Sequence, residues 1–252
     1  MQLIELGVHG PVTDAQRGAL ARVQRAQQHL LGLINDVLLY ARIEGGRVEY
    51  DIQPVAPSEV IADVLPMIEP QLAAKDVRLE VRVPADAPPV WADRERLIQI
   101  FLNLLSNATK FTNAGGRVTV EVLTRVDETR DPEFVSLRVS DTGIGIPREK
   151  LETVFEPFVQ LRQQYRPTQG GTGLGLAISR DLARGMGGDL RARSVAGEGA
   201  SFTVTLRRAV TPTGEATDRR TEQERRVEEE RRTAVRRGSD DPLDDPVDDR
   251  GV

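Results

Sequence analysis

NLLSNATKFT, residues 103–112, is the stretch on which the fold turns. On a helical wheel Leu97, Phe101, Leu104, Ala108 and Phe111 share one face. Asn103, Asn107 and Lys110 cluster within roughly 60° of one another beside that face. Amides are poor helix formers, so two of them one turn apart need a reason. A carboxamide oxygen is a hard ligand for Mg²⁺, and a lysine is a point charge for phosphate. A solvated helix face accounts for the pattern equally well.

Two stretches downstream extend the question. SDTGIGIP (140–147) directly follows the apolar alternation FVSLRVS (134–140). Val135, Leu137, Val139 and Asp141 share one strand parity, which aims Asp141 at the apolar side. A carboxylate there needs a donor, and an adenine amino group is one. Gly143 and Gly145 would let the backbone approach a planar ring. An acidic turn after a strand is the plainer reading. GGTGLGLAIS (170–179) then leads into a helix with Leu174, Ile178 and Leu182 on its packed side. A glycine-rich helix start presents free N–H groups to an anion. The Gly-Lys-Ser/Thr ending of a P-loop is absent.

Around these stretches, VRLEVRV (77–83), GRVTVEVLT (116–124), FVSLRVS and ASFTVTL (200–206) alternate as half-buried strands do. Helical patterns fall at 58–74, 93–111 and 172–186. The expected fold is an α/β two-layer sandwich, a mixed sheet covered by helices on one face. Ahead of it Leu20, Val23, Leu30, Ile34, Leu38 and Ala41 recur at helical spacing. Thr13 or Asp14 would cap that long helix and Gly45-Gly46 end it. MQLIEL and the turn at 7–11 read as the end of an earlier antiparallel helix. From Val210 the chain is almost all charge, then Asp and Pro, which is the composition of a disordered tail. The expected division is 1–46, a remnant of a helical hairpin; 47–208, the sandwich; and 209–252, the tail.

The 252 residues carry a net charge of −5, which gives no electrostatic reason to expect nucleic acid. The absence of cysteine excludes disulfides and thiolate metal sites. No apolar run approaches the roughly 20 residues of a membrane span, and the start lacks a signal-peptide pattern. The expected setting is cytoplasmic.

Together, in this order and spacing, the three motifs resemble the N box and the two glycine boxes of sensor histidine kinases. Their ATPase superfamily includes DNA gyrase, the heat-shock chaperone and mismatch-repair ATPases. FEPF (155–158) looks like the family's F box. The resemblance covers about residues 13–208. It implies that Asn107 holds Mg²⁺, Lys110 contacts phosphate and Asp141 binds the adenine amino group. It also implies that Gly143 and Gly145 line the adenine pocket. Gly171, Thr172, Gly173, Leu174 and Gly175 would border the phosphates. Residues 159–169 would form an ATP lid, from which Arg162 and Arg166 are guessed to reach the phosphates. Hydrolytic relatives carry a water-activating glutamate where this chain has Asn103. An amide is no general base, so phosphoryl transfer is expected over hydrolysis, with Asn103, Asn107 and Lys110 as the catalytic set.

LINDVL…ARIEGGRVE resembles the second helix of the kinases' dimerisation hairpin. The family's phosphoacceptor motif, His-Glu-Leu-Arg-Thr-Pro, has no counterpart here, and the chain reads as starting just past it. His9 and His29 have no orienting acid nearby and read as solvated or structural. The acceptor is then expected in trans or in a longer form. The resemblance implies a response regulator or full-length kinase as partner, and a homodimer through residues 14–44. The alternative is a catalytically silent ATP-binding module that pairs with a full-length kinase. A serine kinase of the anti-sigma type fits less well, because those lack the long helix.

Overall fold

Apolar side chains at every second position set the sheet. Strand β4 (Arg117–Leu123) buries Val118, Val120 and Val122, and β5 (Phe134–Asp141) buries Val135, Leu137 and Val139. These rows continue into β7 (Gly199–Arg207) through Ala200, Phe202, Val204 and Leu206. The computed structural model describes residues 10–123, 133–160 and 172–209. Its larger sheet has five strands in the order β2-β4-β5-β7-β6, with β2 at Arg78–Arg82 and β6 at Asp189–Val195. Only the β2–β4 pair is parallel, so the sheet is mixed as expected. Two short strands, β1 (Gln53–Val55) and β3 (Val90–Ala92), pair antiparallel beside it.

Three helices cover the apolar face of the sheet, which makes the two-layer sandwich. They are α2 (Pro57–Ala74), α3 (Arg94–Phe111) and α4 (Gly175–Gly185). The α3 stripe is buried at Leu97, Ile100, Phe101, Leu104, Leu105 and Ala108. From α2 come Val60, Ile61, Val64, Ile68 and Leu72, and from α4 Ile178 and Leu182. The opposite sheet face is polar: Arg138 pairs with Glu121 at 3.3 Å and Ser140 with Ser201 at 2.8 Å. One face is oily and one wet, as an antiparallel-rich sheet permits.

Helix α1 spans Asp14–Glu44, and the sequence marks both ends. Thr13 closes a capping box with Gln16: its hydroxyl accepts from Gln16 N at 3.3 Å, and Gln16 Oε1 accepts from Thr13 N at 2.8 Å. Gly46 supplies the positive φ, +61°, that ends the helix. Only the last turns dock on the sandwich, through Leu39, Tyr40 and Ile43. Upstream, the apolar stripe stands open: Val23, Leu30, Leu31, Ile34, Val37 and Leu38 are 47–59% exposed. Among the described residues no helix is long and apolar enough to cross a membrane. The expected first hairpin helix and charged tail lie outside the described residues.

Candidate nucleotide site

Helix α3 is the floor of the site, and its middle and its C-terminal end meet the two glycine motifs. At mid-helix, Asn103 faces α4. A Cβ at Gly175 would overlap the Asn103 side-chain oxygen. At its C-terminal end the Phe111 carbonyl abuts Gly143, where a Cβ would again overlap it. Eight residues separate Asn103 from Phe111, about 12 Å along the helix. Asn107 and Lys110 lie between these two points.

The amides are wired in series. Asn103 Nδ2 donates to Ser179 Oγ at 2.9 Å, and Asn107 Nδ2 donates to Asn103 Oδ1 at 3.4 Å. Both asparagines are half-buried, and Ser179 is only 2% exposed. Lys110 Nζ stands 5.0 Å from the Phe111 ring centroid, a cation–π distance. Burial pushes its ammonium below the usual lysine range.

Asp141 sits where strand parity aims it, in one sheet row with Val118 and Ala200. Burial raises its pKa from the ordinary carboxylate range, and the backbone N–H groups of Gly143 and Ala200 pull it partly back. Gly143 N donates to Asp141 Oδ1 at 2.8 Å. That bond occupies one carboxylate oxygen. The glycines have a packing role here. A Cβ at Gly143 meets Phe111 and one at Gly145, whose φ is +67°, meets the Val195 carbonyl. Their bareness is required first by packing within the protein, and not only by approach to a ring.

Helix α4 starts at Gly175, not at Thr172. Gly173 takes φ +74°, and Thr172 Oγ1 accepts from Leu174 N at 3.1 Å. No side chain caps α4, whereas Thr13 caps α1 and Asp93 caps α3. An uncapped start leaves N–H groups for an anion. Gly173 packs against Phe158, its carbonyl accepting Phe158 N at 3.0 Å. The FEPF segment is pinned from α4: the Arg180 guanidinium lies 4.7 Å over the Phe155 ring and bonds Asp189 at 3.3 Å.

Two contacts were invisible in the sequence. Thr172 Oγ1 donates to Asp36 of α1 at 3.1 Å, and Tyr40 meets the Phe158 ring edge-on at 6.2 Å. Burial raises the Asp36 pKa, and the Thr172 bond partly offsets that. No sequence signal marks a pair 136 positions apart. Ser179 was missed too, although it lies within the quoted glycine motif. Gly171, Arg162, Arg166 and most of the expected lid lie outside the described residues, as does His9. His29 lies on α1.

The donor set tests which groups fit. Among the described residues no cluster of three His, Cys, Asp or Glu could hold a metal. One amide oxygen at Asn107 suits Mg²⁺, which keeps waters and takes its remaining ligands from phosphate. A carboxylate at one end and an uncapped helix start at the other suit a purine and a phosphate chain.

Residues 92–210 match the family described as Histidine kinase-, DNA gyrase B-, and HSP90-like ATPase. An uncharacterized sensor-like histidine kinase of Rhizobium meliloti is 39% identical over 193 residues, 77% of this chain and 36% of that one. The chain thus spans about a third of that relative's length. Full-length ShkA in complex with AMPPNP is similar in structure, with a TM-score of 0.68 and 32% identity over 82% of this chain and 42% of that one. The mycobacterial sensor histidine kinase MprB is 31% identical with a TM-score of 0.53, over 63% of this chain and all of that one. The chain belongs to the histidine kinase family and carries its ATP-binding catalytic domain.

Proposed function

We propose that residues 14–209 bind Mg-ATP and transfer its γ-phosphate to a protein histidine supplied in trans, within two-component signalling. The observation that carries this is Asn103. It stands at the position of the hydrolytic relatives' glutamate, and its carboxamide is engaged by Ser179 on one side and Asn107 on the other. Such a group positions its neighbours and accepts no proton from water at neutral pH. Phosphoryl transfer asks chiefly for positioning and charge neutralisation. Asp141 would take the adenine amino group. Asn107 would hold Mg²⁺, which supplies charge neutralisation on the phosphates. Lys110 and the α4 N-terminus, with Thr172, Gly173 and Leu174 before it, would face the phosphates. ATP chemistry of this kind belongs in the cytoplasm.

The open stripe of α1 supports a second element of the reading: association with another such helix, from a second copy or a full-length kinase. A response regulator would receive the phosphoryl group downstream. The test is trans-phosphorylation. The chain is mixed with γ-labelled ATP and a helical-hairpin fragment carrying an acceptor histidine. Acid-labile label on the fragment is the expected result. ATP binding without label would favour a silent module that pairs with a full-length kinase.

A further inference from the structure

We propose that Ser179 is a positioning residue for the metal. Acting through Asn103, it fixes the Asn107 amide so that its oxygen, and not its nitrogen, faces Mg²⁺. The inference rests on the reading of Asn107 as the metal ligand.

A carboxamide has one accepting end and one donating end. The buried Ser179 Oγ accepts from Asn103 Nδ2 at 2.9 Å, with Asn103 Oδ1 on the other side. Asn107 Nδ2 donates to that oxygen at 3.4 Å. The Asn107 nitrogen is thereby engaged inward, and its oxygen is the end left for a cation. The bare Cα of Gly175 leaves the space in which Asn103 Oδ1 sits. Ser179 lies in the second turn of α4, directly below the uncapped start that would meet the phosphates. One helix thus carries both the anion end of the site and the acceptor that orients its metal amide. Without Ser179 Oγ, Asn103 Nδ2 loses this anchor and the side chain is freer to turn. A flipped Asn103 would present N–H groups to the Asn107 N–H groups. Relief of that clash turns the Asn107 nitrogen toward the cation.

Outer partners of metal ligands change metal affinity by about 10- to 100-fold. The experiment is calorimetric titration of a non-hydrolysable ATP analogue into the full chain, with and without Mg²⁺. Ser179→Ala should reduce the Mg²⁺-dependent gain in analogue affinity at least about tenfold and leave metal-free affinity within about twofold. Ser179→Cys keeps the volume with a poor acceptor and should behave alike, which covers the case where Ser179→Ala does not fold. In an Asn103→Ala background Ser179→Ala should cause no further loss, because the relay is already broken. An unchanged Mg²⁺-dependent gain in both variants overturns the proposal. So does an equal loss with and without Mg²⁺, or an additive loss in the double variant. A wild-type chain that binds the analogue with no Mg²⁺-dependent gain overturns both the proposal and the metal reading beneath it.

Discussion

Asp141→Asn should make the free domain more stable while removing its grip on adenine. The carboxylate lies in an apolar sheet row, and burial raises its pKa. The sign follows from linkage. A raised folded-state pKa contributes stability that is fully present below the unfolded value, about 3.9, and is lost as pH rises through the folded value. At pH 7 the ionised group therefore opposes folding, and a neutral amide of the same shape removes that cost. Binding moves the other way. Gly143 N donates to Asp141 Oδ1 at 2.8 Å, so an asparagine here keeps its oxygen on Gly143. Its NH₂ then replaces the second oxygen and meets the adenine amino group donor to donor. Loss of one hydrogen bond to a charged acceptor is worth about 1.5–3 kcal/mol, roughly 10- to 150-fold in affinity. Guanine presents O6 where adenine presents its amino group, so discrimination between ATP and GTP should narrow. Thermal melts at pH 7 and at about pH 4, with calorimetry for both nucleotides, read all of this. The Tm gain of the variant should shrink on acidification, and wild-type ATP affinity should fall over the same range. Unchanged ATP affinity in a folded Asp141→Asn would refute the orientation argument. A lower Tm at pH 7 would refute the desolvation argument.

Three further outcomes follow from contacts around the site. Gly175→Ala would push a methyl into Asn103, so Mg-nucleotide affinity should fall about tenfold, while thermal stability changes little. Equal affinity in calorimetry would mean that Asn103 is not held there. Thr172→Val removes the hydroxyl that donates to Asp36 and accepts from Leu174 N, at a cost of about 1 kcal/mol and a Tm lower by about 2–4 °C. Amides 36–44 should also exchange faster, and unchanged exchange would argue that α1 docks through Leu39, Tyr40 and Ile43 alone. Leu31→Glu combined with Leu38→Glu places charge on the open stripe of α1 and should shift any dimer to monomer in light scattering. A dimer that survives this pair would place the association elsewhere.

The strands and helices legible in the sequence are those whose periodicity is paid for by burial on one face. Val118, Val120 and Val122 announce β4, and the α3 stripe announces its helix, because each alternate side chain enters the core. Strand β6 escaped the reading. It runs at the sheet edge, and its inward positions, Leu190, Ala192 and Ser194, fade from large apolar to polar along the strand. Ser194 points inward because its hydroxyl serves the backbone, accepting from Ile146 N at 2.7 Å and donating to the Gly199 carbonyl at 2.6 Å. Strands β1 and β3, three residues each, are too short to show a period. The helix expected from 172 starts three residues later, at Gly175, and Thr172 lies ahead of it. Its hydroxyl does accept a backbone N–H, but in a turn that Gly173 bends away from the helix.

Residue types at the site were legible, but the division of labour among them was not. A sequence shows that Asn103, Asn107, Asp141 and the glycines are unusual for their elements. It does not show whether a glycine is bare for a ligand or for a neighbour. In the structure a Cβ at Gly143, Gly145 or Gly175 would meet Phe111, Val195 or Asn103, so packing alone already requires them bare. These contacts join α3 to the turn after β5 and to the start of α4. The carboxylate, the amides and the uncapped helix start therefore belong to one rigid frame. The same packing that closes the core sets the spacing between Asp141 and the start of α4. Substitutions at Gly143 and Gly145, which abut backbone carbonyls, should thus disturb fold and binding together, whereas Asp141, whose burial costs stability, is a position at which the two separate.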